Sequence, residues 1–252
     1  MNVFEYDFGY AWPWTLGHLL AAVVFGVLAA VTWRSARPRV GLVLVALTIW
    51  AIAGAFIVHF VMRFNLPLEL PTERFLPSGL GRVLDGGAGS GRSSLMVLLA
   101  RPESTLVALD TFSVGYGIEG NTPERLLANA AAAGAVGRVE VKVGDMRQMP
   151  FADGSFDAAV SAYAIDHLNR DGIAKALAET KRVLRPRGQF LLMVIHPDGW
   201  IRVALPFFVE HGYFGSRPIP EVWRERLTAA GLEVVEQGRR PGTLYILSES
   251  SN

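Results

Sequence analysis

Residues 83–91 read Val83-Leu84-Asp85-Gly86-Gly87-Ala88-Gly89-Ser90-Gly91. The apolar start predicts a buried strand, and the glycines predict a tight turn from that strand into a helix. Glycine is needed in such a turn because a Cβ would keep backbone N–H groups away from a ligand. The stretch therefore predicts a ligand site built largely from backbone. The alternative is an ordinary strand-to-helix turn of some other doubly wound domain.

The spacing of the glycines argues against a dinucleotide site. Nicotinamide and flavin sites usually read Gly-x-Gly-x-x-Gly, with the following helix N-terminus facing a pyrophosphate. Here Gly91 comes one residue early, and Asp85 precedes the turn. A carboxylate would repel a pyrophosphate but suits the ammonium group of a methionine moiety. The turn therefore favours S-adenosylmethionine as the ligand.

Composition limits the classes of partner. The length of 252 residues fits one α/β domain with an appendage, or two small domains. The formal net charge is only +1, so we expect no nucleic-acid partner. The sequence has no cysteine, which excludes disulfides, thiolate nucleophiles and cysteine zinc sites. No metal site is predicted.

Two apolar runs, residues 15–33 and 40–62, contain no Asp, Glu, Lys or Arg. As helices, each is long enough to cross or nearly cross a hydrocarbon core of about 30 Å. Small residues at helical spacing allow the two helices to pack as a hairpin. We expect residues 1–64 to anchor the chain in a membrane, where the hairpins could also self-associate, and residues 65–252 to form the catalytic domain. The alternative is a buried helical pair of a soluble protein.

The basic loop of the hairpin and the location of the cofactor predict opposite orientations in the membrane. Arg34, Arg37 and Arg39 make the connecting loop basic, and basic loops tend to stay in the cytoplasm. A spanning hairpin would then export the catalytic domain, although S-adenosylmethionine is a cytosolic compound. We expect a cell-membrane protein whose catalytic domain faces the cytoplasm, and a shallow, non-spanning hairpin would ease the conflict. His18 and His59 within the runs are expected to bond a neighbouring helix rather than a metal.

After a proline-rich linker, strand and helix patterns alternate from residue 82 to residue 247. Five strands alternate with helices, and two further strands close the pattern. Predicted strands cover residues 82–85, 105–110, 139–143, 156–162, 189–195, 232–236 and 243–247, and the main helices cover 92–100, 123–133, 171–184 and 221–230. This α/β pattern predicts a Rossmann-like, mostly parallel sheet of seven strands with the ligand at the carboxyl ends of the strands.

Acidic residues end two more of these strands. Asp110 ends the second strand, where a carboxylate can accept hydrogen bonds from both hydroxyls of a ribose. Gly144-Asp145-Met146 follows the third strand, where Asp145 can accept from an adenine amino group and Met146 can pack on the ring. Three successive strands therefore end in carboxylates suited to one adenosine-type ligand.

With these residues in place, 81–195 resembles the class I S-adenosylmethionine-dependent methyltransferases, in particular the branch of ubiquinone/menaquinone C-methyltransferases. Met149-Pro150-Phe151-Ala152-Asp153-Gly154-Ser155-Phe156-Asp157 resembles the family's "LPF-D-SFD" segment. Arg182-Val183-Leu184-Arg185-Pro186-Arg187-Gly188 resembles its "R-V-L-K-P-G-G" turn, with Arg187 in place of the first glycine. The resemblance implies S-adenosyl-L-methionine as cofactor. The predicted cofactor contacts are Asp85, Gly86, Gly87, Gly89, Gly91, Asp110, Thr111, Asp145, Met146 and Ser161.

Methyl transfer is an in-line displacement, so the protein must align the acceptor and, where needed, remove its proton. The predicted catalytic residues are Tyr163, Asp166 and His167 after strand four, and His196 after strand five. Asp166 and His167 can equally cap the next helix, and His196 can be a turn residue. The apolar segment 199–209 is either a lid over the acceptor or a core-filling helix, and the glycine-containing loop 111–120 can close over the cofactor.

The sequence thus predicts a membrane-associated methyltransferase of a lipid, a quinone precursor or another apolar small molecule. A tethered enzyme for a small soluble acceptor is the alternative within the fold. From other classes, a nicotinamide-dependent membrane oxidoreductase or a non-catalytic cofactor-binding membrane protein remain open.

Overall fold

The computed structural model describes residues 5–35, 37–113, 118–206, 208–211 and 217–251. Its strands are β1 Arg82–Gly86, β2 Thr105–Asp110, β3 Val139–Val143, β4 Phe156–Ala162, β5 Leu184–Ile195, β6 Leu232–Arg240 and β7 Thr243–Ser250. Its helices are α1 Trp12–Thr15, α2 Gly17–Arg34, α3 Pro38–Phe56, α4 Arg92–Ala100, α5 Pro123–Ala132, α6 Arg170–Val183, α7 Gly199–Ala204 and α8 Ile219–Ala229.

The strands form one seven-stranded sheet in the order β3-β2-β1-β4-β5-β7-β6. The first five strands are parallel, and β7 runs antiparallel to both β5 and β6. The central strands are buried along nearly their whole length, as expected of a parallel sheet covered by helices on both faces. The predicted Rossmann-like sheet, preceded by two apolar helices, is confirmed.

Two apolar clusters hold the layers together. One contains Phe156, Leu177 and Trp223, and joins α6 and α8 to the sheet. The other contains Phe75, Met96 and Leu191, and joins α4 and the linker to the sheet. Because both clusters include alternate residues of β4 and β5, the sheet forms the middle layer of the domain.

The helix boundaries follow the local signals, with one difference. Thr122 caps α5 by accepting a hydrogen bond from the Arg125 N–H at 3.3 Å, as is common for threonine before a helix. The predicted turn before strand five is instead part of it: β5 begins at Leu184, directly after α6, rather than at residue 189. Pro186 fits this early part of the strand because proline is compatible with extended backbone. Arg187 has φ +61°, the left-handed region that favours glycine.

The two sequence motifs of residues 149–157 and 182–188 meet in space. Arg182 donates to the carbonyl oxygens of Met149 and Phe151 at 3.1 and 2.7 Å, and to the Asp153 carboxylate at 2.7 Å. The arginine therefore fixes the turn that leads into β4.

The apolar hairpin consists of α2, α3 and a π-helical segment, Ile57–Val61, that continues α3. Gly54 packs on the ring of His18 with no room for a Cβ, and Gly41 packs on Trp33. His59 bonds the Thr15 carbonyl oxygen at 2.8 Å, so both hairpin histidines contact neighbouring elements. Gly17–Arg34 and Pro38–Val61 are long and apolar enough to cross a membrane, by length and composition.

Residues 5–10, which we call the strap, lie on the catalytic domain. Phe8 is buried against Leu95 and Ala130. The Asn129 side chain donates to the carbonyl oxygens of Asp7 and Ser90 and accepts from the Asp7 N–H. The strap therefore packs on α4 and α5, and its last residue, Tyr10, also stacks on Phe64 just after the hairpin.

Candidate active site

A cavity of about 660 Å³ opens at the carboxyl ends of the parallel strands. This volume lies within the roughly 300–1,000 Å³ typical of small-molecule sites. Part of its wall comes from the ends of β1, β4 and β5, through Gly87, Ala162 and Ile195. The opposite wall comes from the hairpin end and the linker. The cavity therefore lies at the edge of the sheet where the sequence predicts the ligand.

The glycine turn forms the cofactor end of this cavity. Gly87 and Gly89 line it with φ +80° and +53°. A Cβ on Gly87 would overlap the Ala164 Cβ and lie 2.7 Å from the Met146 Cε. Gly91 has φ +91° and begins α4, and a Cβ there would lie 2.9 Å from the Leu126 Cγ. Backbone conformation therefore favours glycine at all three positions, and space excludes a side chain at Gly87 and Gly91.

Asp85 lies beneath the turn rather than in the cavity. It is fully buried, and its Oδ2 accepts from the Ser93 and Ser94 hydroxyls at 2.8 and 2.6 Å. Burial raises the pKa of this carboxyl to about 6, although the two serine bonds lower it. Both serine bonds are to Oδ2, whereas Oδ1 is buried and has no hydrogen-bond partner among the described residues. The serine bonds fix Asp85 beneath the turn, and its predicted contact with an ammonium group stays a prediction.

Asp110 lies directly beside the turn. Its Oδ2 accepts from the Gly89 N–H at 2.8 Å, and its Oδ1 accepts from the Phe112 N–H at 2.6 Å. The neighbouring Thr111 hydroxyl shares a hydrogen bond with the Ser113 hydroxyl. Residues 114–117 of the predicted closing loop lie outside the described residues. Asp110 therefore joins the end of β2 to the glycine turn, where a ribose-binding acid is expected.

Asp145 and Met146 follow β3 but differ in what they contact. Asp145 forms a bidentate ion pair with Arg147, which holds the pKa of the carboxyl below its usual range. The Met146 Cε lies close to Gly87, since a Cβ built on Gly87 would be 2.7 Å from it. Met146 is thus beside the turn, whereas Asp145 is engaged by a cation.

Ser161 has a structural role in this structure. The side chain is buried, and its hydroxyl donates to the Gly86 carbonyl oxygen at 2.7 Å. This bond ties the end of β4 to the end of β1. Ser161 and Gly86 therefore shape the site from behind its wall.

Two of the four predicted catalytic residues line the cavity, Tyr163 and His167. The Tyr163 hydroxyl bonds the Thr243 hydroxyl at 2.6 Å, and burial raises its pKa. The His167 ring lies 4.2 Å from the ring of His211, centroid to centroid. Burial, followed by the neighbouring His211, lowers the His167 pKa to about 4. The His167 imidazole is therefore neutral at pH 7.

The other two predicted catalytic residues lie outside the cavity wall. Asp166 is buried, and its Oδ2 accepts from the Ile195 N–H at 3.3 Å. His196 contacts the Glu210 carboxylate through Nδ1 and Arg239 through Nε2. Because both ring nitrogens of His196 contact charged side chains, the ring is a link between β5 and β6. Tyr163 and His167 therefore line the cavity, whereas Asp166 and His196 do not.

The sequence did not predict the second wall of the cavity. Tyr10, Trp14, Phe60, Met62 and Phe64 line it from the strap, α1 and the hairpin end.

Arg92, in the first turn of α4, was also missed. It is buried and lines the cavity, and it donates to the carbonyl oxygens of Met62, Arg63 and Leu66 at 2.7, 2.9 and 2.8 Å. The only local signal was an arginine immediately after the last glycine of the turn. His211 was missed because nothing in the sequence around it indicates a site.

Comparison with known proteins agrees with this geometry. Residues 83–188 match the family model described as "Methyltransferase domain". The chain is 34% identical over 120 residues to the ubiquinone/menaquinone biosynthesis C-methyltransferase UbiE of Dinoroseobacter shibae, covering 46% of this chain and 43% of that protein. It is 32% identical to the demethylmenaquinone methyltransferase of Beutenbergia cavernae, covering 53% and 47%. The chain thus spans about half the length of these curated relatives.

A solved structure with a similar fold is the 1,6-didemethyltoxoflavin-N1-methyltransferase of Burkholderia thailandensis, with bound S-adenosylhomocysteine. The TM-score is 0.51 at 21% identity, covering 93% of this chain and 90% of that one.

Residues 83–188 match a methyltransferase domain, and this match together with the similar structure that holds S-adenosylhomocysteine supports S-adenosylmethionine as the cofactor. The residues present fit this group: Gly87, which lines the cavity, has no room for a side chain, and Asp110 and Met146 lie on either side of the turn.

Proposed function

We propose that the chain is a membrane-associated methyltransferase that transfers a methyl group to an apolar small molecule, with quinone precursors as the first class to test. One observation carries this proposal: a single cavity runs from the glycine turn to the end of the apolar hairpin. An acceptor that fills this cavity beside the glycine turn would therefore contact residues contributed by the hairpin.

The chemistry of the cavity wall favours an apolar acceptor. Trp14, Phe60, Val61, Phe64 and Phe208 contribute aromatic or aliphatic surface. Apolar lining with a few placed polar groups is typical of sites that bind hydrophobic small molecules. The curated relatives named for ubiquinone and menaquinone synthesis support quinone precursors as a class.

The bound cofactor supplies an electrophilic methyl group on a sulfonium. The residues of this chain orient the acceptor and handle its proton. Tyr163 and His167 are placed to contact an acceptor because both line the cavity beside the glycine turn. A neutral His167 can accept a proton from a hydroxyl or an activated carbon of the acceptor, whereas a protonated imidazole could not.

We further propose that the hairpin lies in the cell membrane with the catalytic domain in the cytoplasm. Apolar side chains on the outer faces of α2 and α3 are exposed, among them Val23, Val27, Leu42, Val43 and Ile49. Contiguous exposed apolar surface of this kind is rare on soluble proteins. Self-association through the hairpins and the absence of nucleic-acid binding stay predictions.

The test uses the purified full chain, isolated membranes and S-adenosylmethionine labelled in the transferred methyl group. We expect the label to appear in a compound that partitions into organic solvent. The matched control is Gly87→Ala, which alters the cofactor turn and leaves the hairpin unchanged. Label found only in water-soluble compounds would contradict an apolar acceptor, and no labelled product from any extract would contradict the proposed activity.

A further inference from the structure

Helix α7 is fixed to the apolar hairpin by its last two carbonyl groups. The Trp50 indole Nε1 donates to the Val203 carbonyl oxygen at 2.7 Å, and His18 Nε2 contacts the Ala204 carbonyl oxygen at 3.0 Å. Carbonyls in the last turn of a helix have no partner within that helix. The hairpin therefore caps α7 and holds it alongside α2 and α3.

The contact lies within the apolar run rather than beyond it. Trp50 is six residues before the end of α3 at Phe56, about 9 Å along the axis at 1.5 Å per residue. On the outer faces of the hairpin near this level, Leu20 and Ile52 are exposed. If these residues contact lipid, α7 lies close to the same lipid layer.

The two faces of α7 differ sharply in burial. Ile201 and Ala204 are buried against Ile57 and Val58 of the hairpin end. Trp200 and Val203, three positions apart and so on one face, are 51% and 71% exposed. A tryptophan beside an aliphatic residue on an outward face is typical of the membrane–water interface.

The charged residues near α7 have partners. Arg202 pairs with Glu210, and Arg239 lies 3.8 Å from Asp198. Paired charges at the edge of the helix are compatible with a position among lipid headgroups.

The cavity reaches the surface on this side of the molecule. Phe60 lines the cavity and is 70% exposed. Phe208, which follows α7, lines the same cavity. Within the segment 199–209, for which the sequence leaves a lid or a core-filling helix open, residue 207 lies outside the described residues.

We infer that α7 lies in the interfacial layer of a phospholipid bilayer, with Trp200 and Val203 on lipid, and that it borders an opening through which the acceptor enters sideways from the membrane. This inference rests on the proposed membrane association. It adds a second lipid-contacting element, contributed by the catalytic domain.

The absence of cysteine from the chain makes a direct test simple. Val203→Cys is labelled with an environment-sensitive fluorophore, and the full protein is incorporated into phosphatidylcholine–phosphatidylglycerol vesicles with and without nitroxide-labelled lipid. The matched control is Val143→Cys, which is also an exposed valine, 63% accessible, but lies on β3 at the far edge of the sheet. Val27→Cys, on the outer face of α2, reports insertion of the hairpin.

In vesicles, the fluorophore at positions 203 and 27 should shift its emission to the blue, and nitroxide-labelled lipid should quench that emission. The fluorophore at position 143 should show neither change. Quenching at 27 with a water-like signal at 203 would overturn the inference about α7 and leave the membrane anchor standing. A water-like signal at all three positions would overturn both. Binding of S-adenosylhomocysteine by each labelled protein shows that the fold is intact.

Discussion

Asp166→Asn gives a sharp test of the buried carboxyl beside the cavity. The Asp166 side chain is almost fully buried, with one hydrogen bond from the Ile195 N–H and no hydrogen-bond partner for Oδ1 among the described residues. Burial raises its pKa from the ordinary value of 3.8 to about 7. The folded state therefore holds this proton more tightly than the unfolded state does.

The sign and size of the effect follow from proton linkage. The contribution of Asp166 to stability is present in full below pH 3.8 and is lost as the pH rises towards 7. Each pKa unit corresponds to about 1.4 kcal/mol, so the wild type should lose about 2–3 kcal/mol from this group between pH 5 and pH 8. The amide introduced by the substitution does not titrate, and any cost that it carries is the same at both pH values.

The assay is guanidinium unfolding of the full chain in mild detergent at pH 5 and pH 8. The free energy of unfolding of Asp166→Asn, relative to wild type, should rise by about 2–3 kcal/mol between these pH values. Glu103→Gln, which removes an exposed carboxylate, is the control. An Asp166→Asn difference that stays constant with pH would refute the assignment of a protonated, buried carboxyl. Turnover by the variant should persist, because Asp166 does not line the cavity.

Four further predictions concern the turn, the acceptor and the strand entry. Gly87→Ala should abolish measurable S-adenosylhomocysteine binding in calorimetry, because φ +80° costs a non-glycine residue about 1–2 kcal/mol and the Cβ would overlap Ala164; wild-type affinity would show that the turn is not the site. Asp110→Ala should weaken the same binding by about 1–3 kcal/mol through lost charge-assisted hydrogen bonds, and unchanged affinity would remove Asp110 from the cofactor contacts. His167→Ala should lower kcat while leaving donor affinity unchanged, and a wild-type kcat would leave His167 with a purely structural role. Arg187→Gly should relieve a left-handed residue, with a net gain of up to about 1 kcal/mol and a melting temperature about 2–4 °C higher; a lower melting temperature would count against that reasoning.

The features that sequence predicted correctly depend on local rules. The glycine turn, the end of β2 at Asp110 and the end of β3 at Val143 follow from spacing and propensity within a few residues. The strand order places these ends side by side, because sequential βαβ units build a parallel sheet.

Side-chain direction at the site was less predictable. Asp85 bonds the serines of α4 through Oδ2, Ser161 bonds the Gly86 carbonyl oxygen, and neither residue lines the cavity, so their predicted contacts with the cofactor stay predictions. Their direction is decided by the serines of α4 and the carbonyl of Gly86, which a sequence motif does not place. His196 was drawn away from the cleft by Glu210 and Arg239, which lie 14 and 43 residues away.

The second wall of the cavity depends on contacts that are distant in sequence. Tyr10 and Arg92 bond across 82 residues, and Trp50 and Val203 across 153. No periodicity or spacing in the sequence connects such pairs. The contribution of the strap and the hairpin end to the cavity could therefore not be predicted from the sequence.

Both ends of the hairpin meet at neighbouring positions in α4 and the turn before it. Ser90 donates to the Phe8 carbonyl oxygen ahead of the hairpin, and Arg92 donates to the Met62 and Arg63 carbonyl oxygens behind it. A hairpin attached at both ends cannot reorient independently of the catalytic domain. If the hairpin lies in a bilayer, as proposed, any tilt imposed by lipid thickness would rotate the whole enzyme with it, because the angle between the cleft and the hairpin axis is fixed by these two attachments.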